Sequence, residues 1–267
     1  MSKDLIRRDQ VHDTHMKYVI IRLDYSGVQD SVELIRAFER RFLSDYRYKQ
    51  EGEMRKVSVT YSEEDLQNIS RAVKASVKEI ETEKIVRYVE LRNVKGAVSL
   101  DISKFYLCMT IGYDENYEGL GRYLDSFKGA ITTFKDKFGY FSPKRLGIRK
   151  CRVQEFTSVA DMNSVFEPFV YNDGNLPIGN LGDSPRMYRA SLQDSGEMTI
   201  KVNIIRNMRP LYVPEGKKLF TSLDIDAYVD NQALLAKRNI NRIIDEINEF
   251  EFKVYKMCMR EDALLAE

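Results

Sequence analysis

Histidine is almost missing from this chain, and that absence removes the commonest enzymatic chemistry first. Only His12 and His15 occur, both in a polar N-terminal stretch ahead of the first apolar run. Neither a Ser-His or Cys-His nucleophile pair in the core nor a His-ligated zinc is expected. Cysteine is scarce too: Cys108, Cys151 and Cys258 are three in number and far apart, with no C-x-x-C. An odd, scattered set excludes a disulfide framework and suits a reducing cytoplasm. No run of about 18 apolar residues exists to cross a membrane. The first 11 residues carry five charges (Lys3, Asp4, Arg7, Arg8, Asp9) and no apolar core, so no signal peptide is expected. Charge of one sign is also lacking. Basic side chains number 42 and acidic ones 41, a net charge of +1, which argues against a chain that coats nucleic acid or an anionic membrane with its whole surface.

What is present is the composition of a globular domain: 267 residues, 43% hydrophobic and 31% charged. A chain of that size buries about 75% of its surface on folding and needs no staple. After a polar segment 1–16, the β-branched run 18–25 predicts a strand ending at Ser26-Gly27. Asp30 or Ser31 can cap a following helix with Val32, Ile35, Phe38 and Phe42 on one face. Gly52 lies between β-rich stretches 46–48 and 57–61, which suits a hairpin. Ser62 with Glu63, Glu64 and Asp65 then opens a helix, striped by Leu66, Ile69, Val73, Val77 and Ile80, that runs to about Lys84. Residues 85–91 predict a strand, a turn follows near 93–96, and 98–113 continue as its long antiparallel partner.

The stripe Tyr117, Leu120, Leu124, Phe127, Ile131, Phe134 and Phe138 keeps helical period until Gly139. A strand is expected over 145–153, a loop over 167–186, a hairpin around Asp194-Ser195-Gly196, and a strand over 219–228. A terminal helix of about 28 residues, ~42 Å long, carries Ile240, Ile243, Ile247, Phe250, Val254 and Met257. No βαβ rhythm appears, so the expected class is α+β: a largely antiparallel sheet packed by three or four helices. Residues 17–267 are expected to form one compact body, since nothing near residue 84 resembles a linker, with room in it for two similar halves, 17–84 and 85–267.

The strand Arg145-Leu-Gly-Ile-Arg149 and the later Leu223-Asp-Ile-Asp226, set before a terminal helix, carry a resemblance. Over roughly residues 85–262 the chain resembles the sporadically distributed bacterial proteins of unknown function that have an R-[IL]-G-[IL]-R strand and a late L-D-x-D strand. The continuation after the first motif is here Lys150-Cys151-Arg152, and the Leu-His pair usual in the last helix is Ile247-Asn248. The resemblance implies a cytoplasmic prokaryotic protein and brings no established activity.

Alternation along a strand places Arg145, Gly147, Arg149 and Cys151 on one face and Leu146, Ile148 and Lys150 on the other. Two guanidinium groups beside a glycine notch could fork onto a phosphate or carboxylate; the plainer alternative pairs them with acids on adjoining strands. Asp224 and Asp226 project together, roughly 7 Å apart. They could hold Mg²⁺ for phosphodiester cleavage, or simply form salt bridges. Contact between Arg149 and either aspartate would explain both motifs at once.

Lys144 to Arg152 holds five basic residues in nine, and the chain has 16 tyrosines, a mixture that also suits single-stranded RNA. The long loop 172–186 is a partner-binding candidate through Asn172, Asp173, Asn180 and Arg186. The leading expectation is a non-enzymatic, cytoplasmic binding or regulatory module of a bacterial accessory system, of the defence or toxin-neutralising kind. The alternatives are a Mg²⁺-dependent phosphodiesterase using Asp224 and Asp226, and an RNA or nucleotide binder at 144–152. No cofactor and no resident metal are expected. The expected partner is another protein, with a homodimer through the C-terminal helix as one form; nucleic acid is less favoured, and no membrane is involved.

Overall fold

The β-branched run that opens the folded body becomes the middle of a sheet. In the computed structural model, β1 (Met16–Ser26) pairs antiparallel with β5 (Tyr106–Gly112) on one side and with β6 (Ser142–Phe156) on the other. Outward from β5 lie β4 (Val98–Ser103), β3 (Glu79–Arg92) and β2 (Tyr48–Thr60). Outward from β6 lie β9 (Gly216–Val229), β8 (Thr199–Val213) and β7 (Arg186–Gln193), so nine described strands form one antiparallel sheet. The structure describes residues 3–11, 15–28, 36, 48–60, 79–92, 98–113, 117, 119–138, 140–171, 186–193, 198–214 and 216–265. The class is α+β, and four strands flank β1 on each side; the boundary considered near residue 84 falls inside β3.

The helices are α1 (Leu120–Lys137), α2 (Val159–Val165), α3 (Pro168–Tyr171), α4 (Gln232–Lys237), α5 (Ile240–Cys258) and α6 (Glu261–Leu265), and two 3₁₀ turns, Lys3–Leu5 and Arg8–Gln10, precede β1. Strand alternation decides where they sit. Val19, Ile21, Leu23 and Tyr25 of β1, Leu146 and Ile148 of β6, and Leu223, Ile225, Ala227 and Val229 of β9 are all buried on one face. Each of the valine, leucine and isoleucine side chains contributes ~1.5–3 kcal/mol by leaving water. On that face Phe134 of α1 meets Tyr25 with ring centroids 4.7 Å apart. Glu251 of α5 reaches Lys150 there, and Lys128 of α1 pairs with Asp245 of α5 at 2.7 Å, setting the two long helices beside each other. Phe166 and Tyr171, at α2 and α3, pack 4.8 Å apart by the same face near Phe156.

Several local expectations change. The stretch around Gly52 is one continuous strand, not a hairpin, with Gly52 opposite Tyr88. A lone glycine between two glutamates lacks the second turn residue a tight hairpin wants. The helix expected to reach Lys84 instead gives way to β3 from Glu79, where pairing of Glu79, Ile80 and Glu81 with β2 overrides local helical period; the rest of it, 62–78, lies outside the described residues. Of the helix expected after Asp30, only Arg36 is described, and it is helical.

The long strand 98–113 is two strands, β4 and β5, folded at Lys104-Phe105. Ser103 makes this turn: its hydroxyl oxygen accepts from the Phe105 and Tyr106 N–H groups at 3.1 and 3.0 Å, a serine turn without glycine or proline. Residues 168–171 are helix α3 rather than loop. Helix α1 starts after Gly119, whose φ of 92° takes the chain out of helical geometry, and so excludes Tyr117.

The terminal helix is not continuous. Asn239 caps α5 by accepting from the Asn241 N–H, and α5 stops after 19 residues at Cys258. There Met259 bridges to Phe166, and the Arg260 N–H donates to the Val165 carbonyl at 2.8 Å. No helix of the described residues is long and apolar enough to cross a membrane.

Candidate functional site

Strand β6 carries the residues singled out by sequence, and it sends them to both faces. On the face away from α1 and α5, Arg149 forks onto Asp224 of β9: its Nε donates to the two carboxylate oxygens at 2.8 and 2.9 Å, and Nη2 at 2.5 Å. Arg145 donates through Nη2 to both oxygens of Asp226 at 3.0 and 2.9 Å, and the Asn203 amide of β8 donates to the same carboxylate at 3.2 Å. The four motif residues therefore come together as two bidentate ion pairs. The register explains the diagonal pairing, for Arg149 stands directly opposite Asp226 and Cys151 opposite Asp224. Hydrogen bonding to Asp224 holds the Arg149 guanidinium firmly protonated against the cost of its burial.

The glycine notch is already filled. A Cβ on Gly147 would lie 3.0 Å from the Tyr228 Cβ and 3.2 Å from the Ala227 carbonyl, and the Arg145 guanidinium stacks 4.4 Å above the Tyr228 ring. Glycine is needed so that this Arg–Tyr stack can cross the strand, not to cradle an anion. Around it the same face continues with Tyr18, whose hydroxyl burial pushes up to about 12. Farther out lie Arg22, bonded to Asp24 at 2.8 Å and stacked over Tyr106 at 4.6 Å, and Lys201, paired with Asp230 at 2.7 Å.

On the helix side β6 delivers Lys150 and Arg152 into the core. Lys150 is 1% exposed and Glu251 of α5 is 0% exposed. The Lys150 ammonium contacts Glu251 at 2.5 Å and donates to the Asn248 side-chain oxygen at 2.9 Å. Arg152 donates to Glu251 at 3.0 Å and stacks 3.7 Å over the Tyr255 ring. Burial pulls the Lys150 amine down to about 8, with Arg8 and Arg152 adding to the fall against the pull of Glu251. Burial pushes the Glu251 carboxyl up, yet Lys150 and Arg152 outweigh it and leave the group below its ordinary range. This triad is the main feature that motif reading missed. It also corrects the picture of 144–152 as a basic surface, because Lys150 and Arg152 are buried and paired.

Of the partner-binding candidates, Asn172, Asp173 and Asn180 lie outside the described residues. Arg186 does not belong to a loop: it opens β7, in register with Arg206 of β8. The apolar side of α5, with Ile243, Ile244, Ile247 and Val254 buried, faces the chain's own core.

Among the described residues no group of three or more His, Cys, Asp or Glu side chains gathers as a metal site requires. A cation at Asp224 and Asp226 would have to displace two guanidinium groups. No known family's sequence profile matches the chain, and no curated protein matches it in sequence.

Proposed function

We propose that this chain is a non-enzymatic binding or regulatory module that acts in the cytoplasm by docking another protein, as part of a bacterial accessory system of the defence or toxin-neutralising kind. The accessory-system clause rests on the resemblance of the Arg145–Arg149 and Leu223–Asp226 strands to the bacterial family. One observation carries the docking reading: on the face of the sheet away from α1 and α5, Arg22, Arg145, Arg149 and Lys201 are each answered by a carboxylate within the chain, while Arg209 is stacked over Phe220. A self-neutralised surface with tyrosine and isoleucine between its ion pairs is poorly suited to a polyanion, whose binding is driven by unneutralised basic groups. It is well suited to a protein partner, where aromatic anchors and arginine stacks supply most of the affinity.

The test uses Ile20, half-exposed on β1 at the register position of both Arg149 and Thr110. The tagged chain is purified from its host, a partner present in stoichiometric amount is identified, and the complex is rebuilt from purified components. Ile20→Glu is expected to weaken the rebuilt complex at least tenfold, while Lys135→Glu on the exposed side of α1 leaves it unchanged. Equal binding by both variants would place the partner elsewhere. Turnover of a substrate by the isolated chain would overturn the non-enzymatic reading.

A further inference from the structure

The polar N-terminal segment, read from sequence as lying ahead of the folded body, is laid along α5. The points of attachment follow one stripe of the helix: Asn248, Phe252 and Lys256, spaced by four residues and so stacked on one side. Arg8 donates through Nη2 to the Asn248 carbonyl at 2.8 Å and sits 4.4 Å over the Phe252 ring. Lys256, 5.1 Å from the same ring, donates to the Ile6 carbonyl at 3.0 Å. Phe252 is thus held between two cations. Ile6 is 2% exposed whereas Leu5 beside it is 64% exposed, so one aliphatic side chain is inserted and its neighbour is left in water. Lys3 completes the attachment, pairing with Glu167 and donating to the Met259 carbonyl at 2.6 Å.

The strengths of the two attachments differ. Helix α5 is fixed to the sheet by Ile240, Ile243, Ile244, Ile247, Val254 and Cys258, all buried. The segment itself is fixed by one inserted isoleucine and a short series of polar contacts on two single-turn 3₁₀ elements. An element with few buried apolar contacts opens locally long before the body that carries it. Beneath it lies the buried charge cluster, reached through Asn248, which accepts from Arg8 on its carbonyl and from Lys150 on its side chain.

We propose that residues 3–10 are a displaceable strap occupying a peptide groove on α5, and that its release opens this groove to a segment of like chemistry: an apolar residue followed two positions later by an arginine. The groove supplies a socket for the apolar side chain, the Phe252 face for the guanidinium, and the Lys256 ammonium for a backbone carbonyl. Regulation then consists of competition between the chain's own strap and a partner's segment. The proposal is independent of the docking face described above, which lies on the other side of the sheet.

Amine-reactive footprinting of the full chain tests it, with Lys256 as the reporter and Lys128, on α1, as the control. In the intact protein Lys256 is expected to be protected. Arg8→Ala and Ile6→Ala should each speed its modification several-fold, and removal of residues 1–11 at least tenfold, with Lys128 unchanged. A synthetic peptide of residues 1–11, added to the shortened chain, should restore the protection saturably, and the same peptide with Arg8→Ala should bind at least tenfold more weakly. The proposal is overturned if Lys256 is modified equally in all variants, if Lys128 accelerates in parallel, or if the peptide has no effect. A shortened chain that does not fold also overturns it, because a strap must be removable. The two point variants apply the local criterion without truncation.

Discussion

Strand β6 offers a controlled comparison, since neighbouring basic residues of one segment meet opposite surroundings. Arg145 and Arg149 pair with Asp226 and Asp224 on a face that still touches water, and Arg149 is 41% exposed. Lys150 and Arg152, one step out of phase, share the single carboxylate of Glu251 with almost no exposure. The first arrangement balances two cations with two anions. The second leaves the core with more positive than negative charge, and this adds to the burial that holds the Lys150 amine below the ordinary lysine range. Charge pairing tolerates geometry on the wet side and becomes a structural requirement on the dry one.

The largest effect should come from breaking the dry cluster. Glu251→Ala strands two buried cations and is expected to cost about 3–5 kcal/mol in urea denaturation; a loss below about 1 kcal/mol would remove the contrast between the faces. Next is Gly147→Ala, where a methyl group meets the Tyr228 Cβ at 3.0 Å and the Ala227 carbonyl at 3.2 Å. Overpacking of this kind costs about 1–3 kcal/mol, and the loss should shrink when Tyr228→Ala is added. Asp224→Asn should cost less, about 1–2 kcal/mol, because Arg149 can turn to solvent. Smallest is Glu155→Ala, which breaks the exposed contact to Lys218 at 3.3 Å and should stay within ~0.5 kcal/mol.

The pH dependence sharpens the same comparison. Burial lowers the Lys150 amine from 10.5 to about 8, so the folded chain holds that proton less tightly than the unfolded chain. The resulting cost is fully present below pH 8, and stability gains from this group as pH rises from about 8 toward 10.5. Cys108 and Cys258 act in the opposite sense above pH 9, because burial pushes their thiols up to about 11 and about 12. The difference between the wild type and Lys150→Met cancels them. That difference should rise across pH 8–10 in favour of the wild type; a flat difference would mean that Lys150 is hydrated in the folded chain.

The open-face pairs were legible in sequence because a period of two needs only local information: it places Arg145 with Arg149 and Asp224 with Asp226. Their meeting depended on β9 lying beside β6, which strand pattern alone does not specify. The triad was half legible. Alternation groups Lys150 with Leu146 and Ile148, the signature of a buried amine. Glu251 lies four residues after Ile247 and four before Tyr255, on the buried side of α5, but a stripe traced through its apolar members passes over an acid in their midst. The Ser103 turn and the break at Met259 carry no glycine, proline or asparagine. Their causes are a side-chain hydroxyl and a long-range bridge to Phe166, which only tertiary contact reveals.

The position of β1 has a consequence for biosynthesis. Among the described strands it is the first to be translated, yet its two neighbours begin only at Tyr106 and Ser142. A nascent chain must therefore carry Val19, Ile21 and Leu23 unpaired while more than one further sheet strand is being made, and closure of the sheet waits on contacts distant in sequence. Slow refolding and a dependence on chaperones during synthesis are the outcomes to look for.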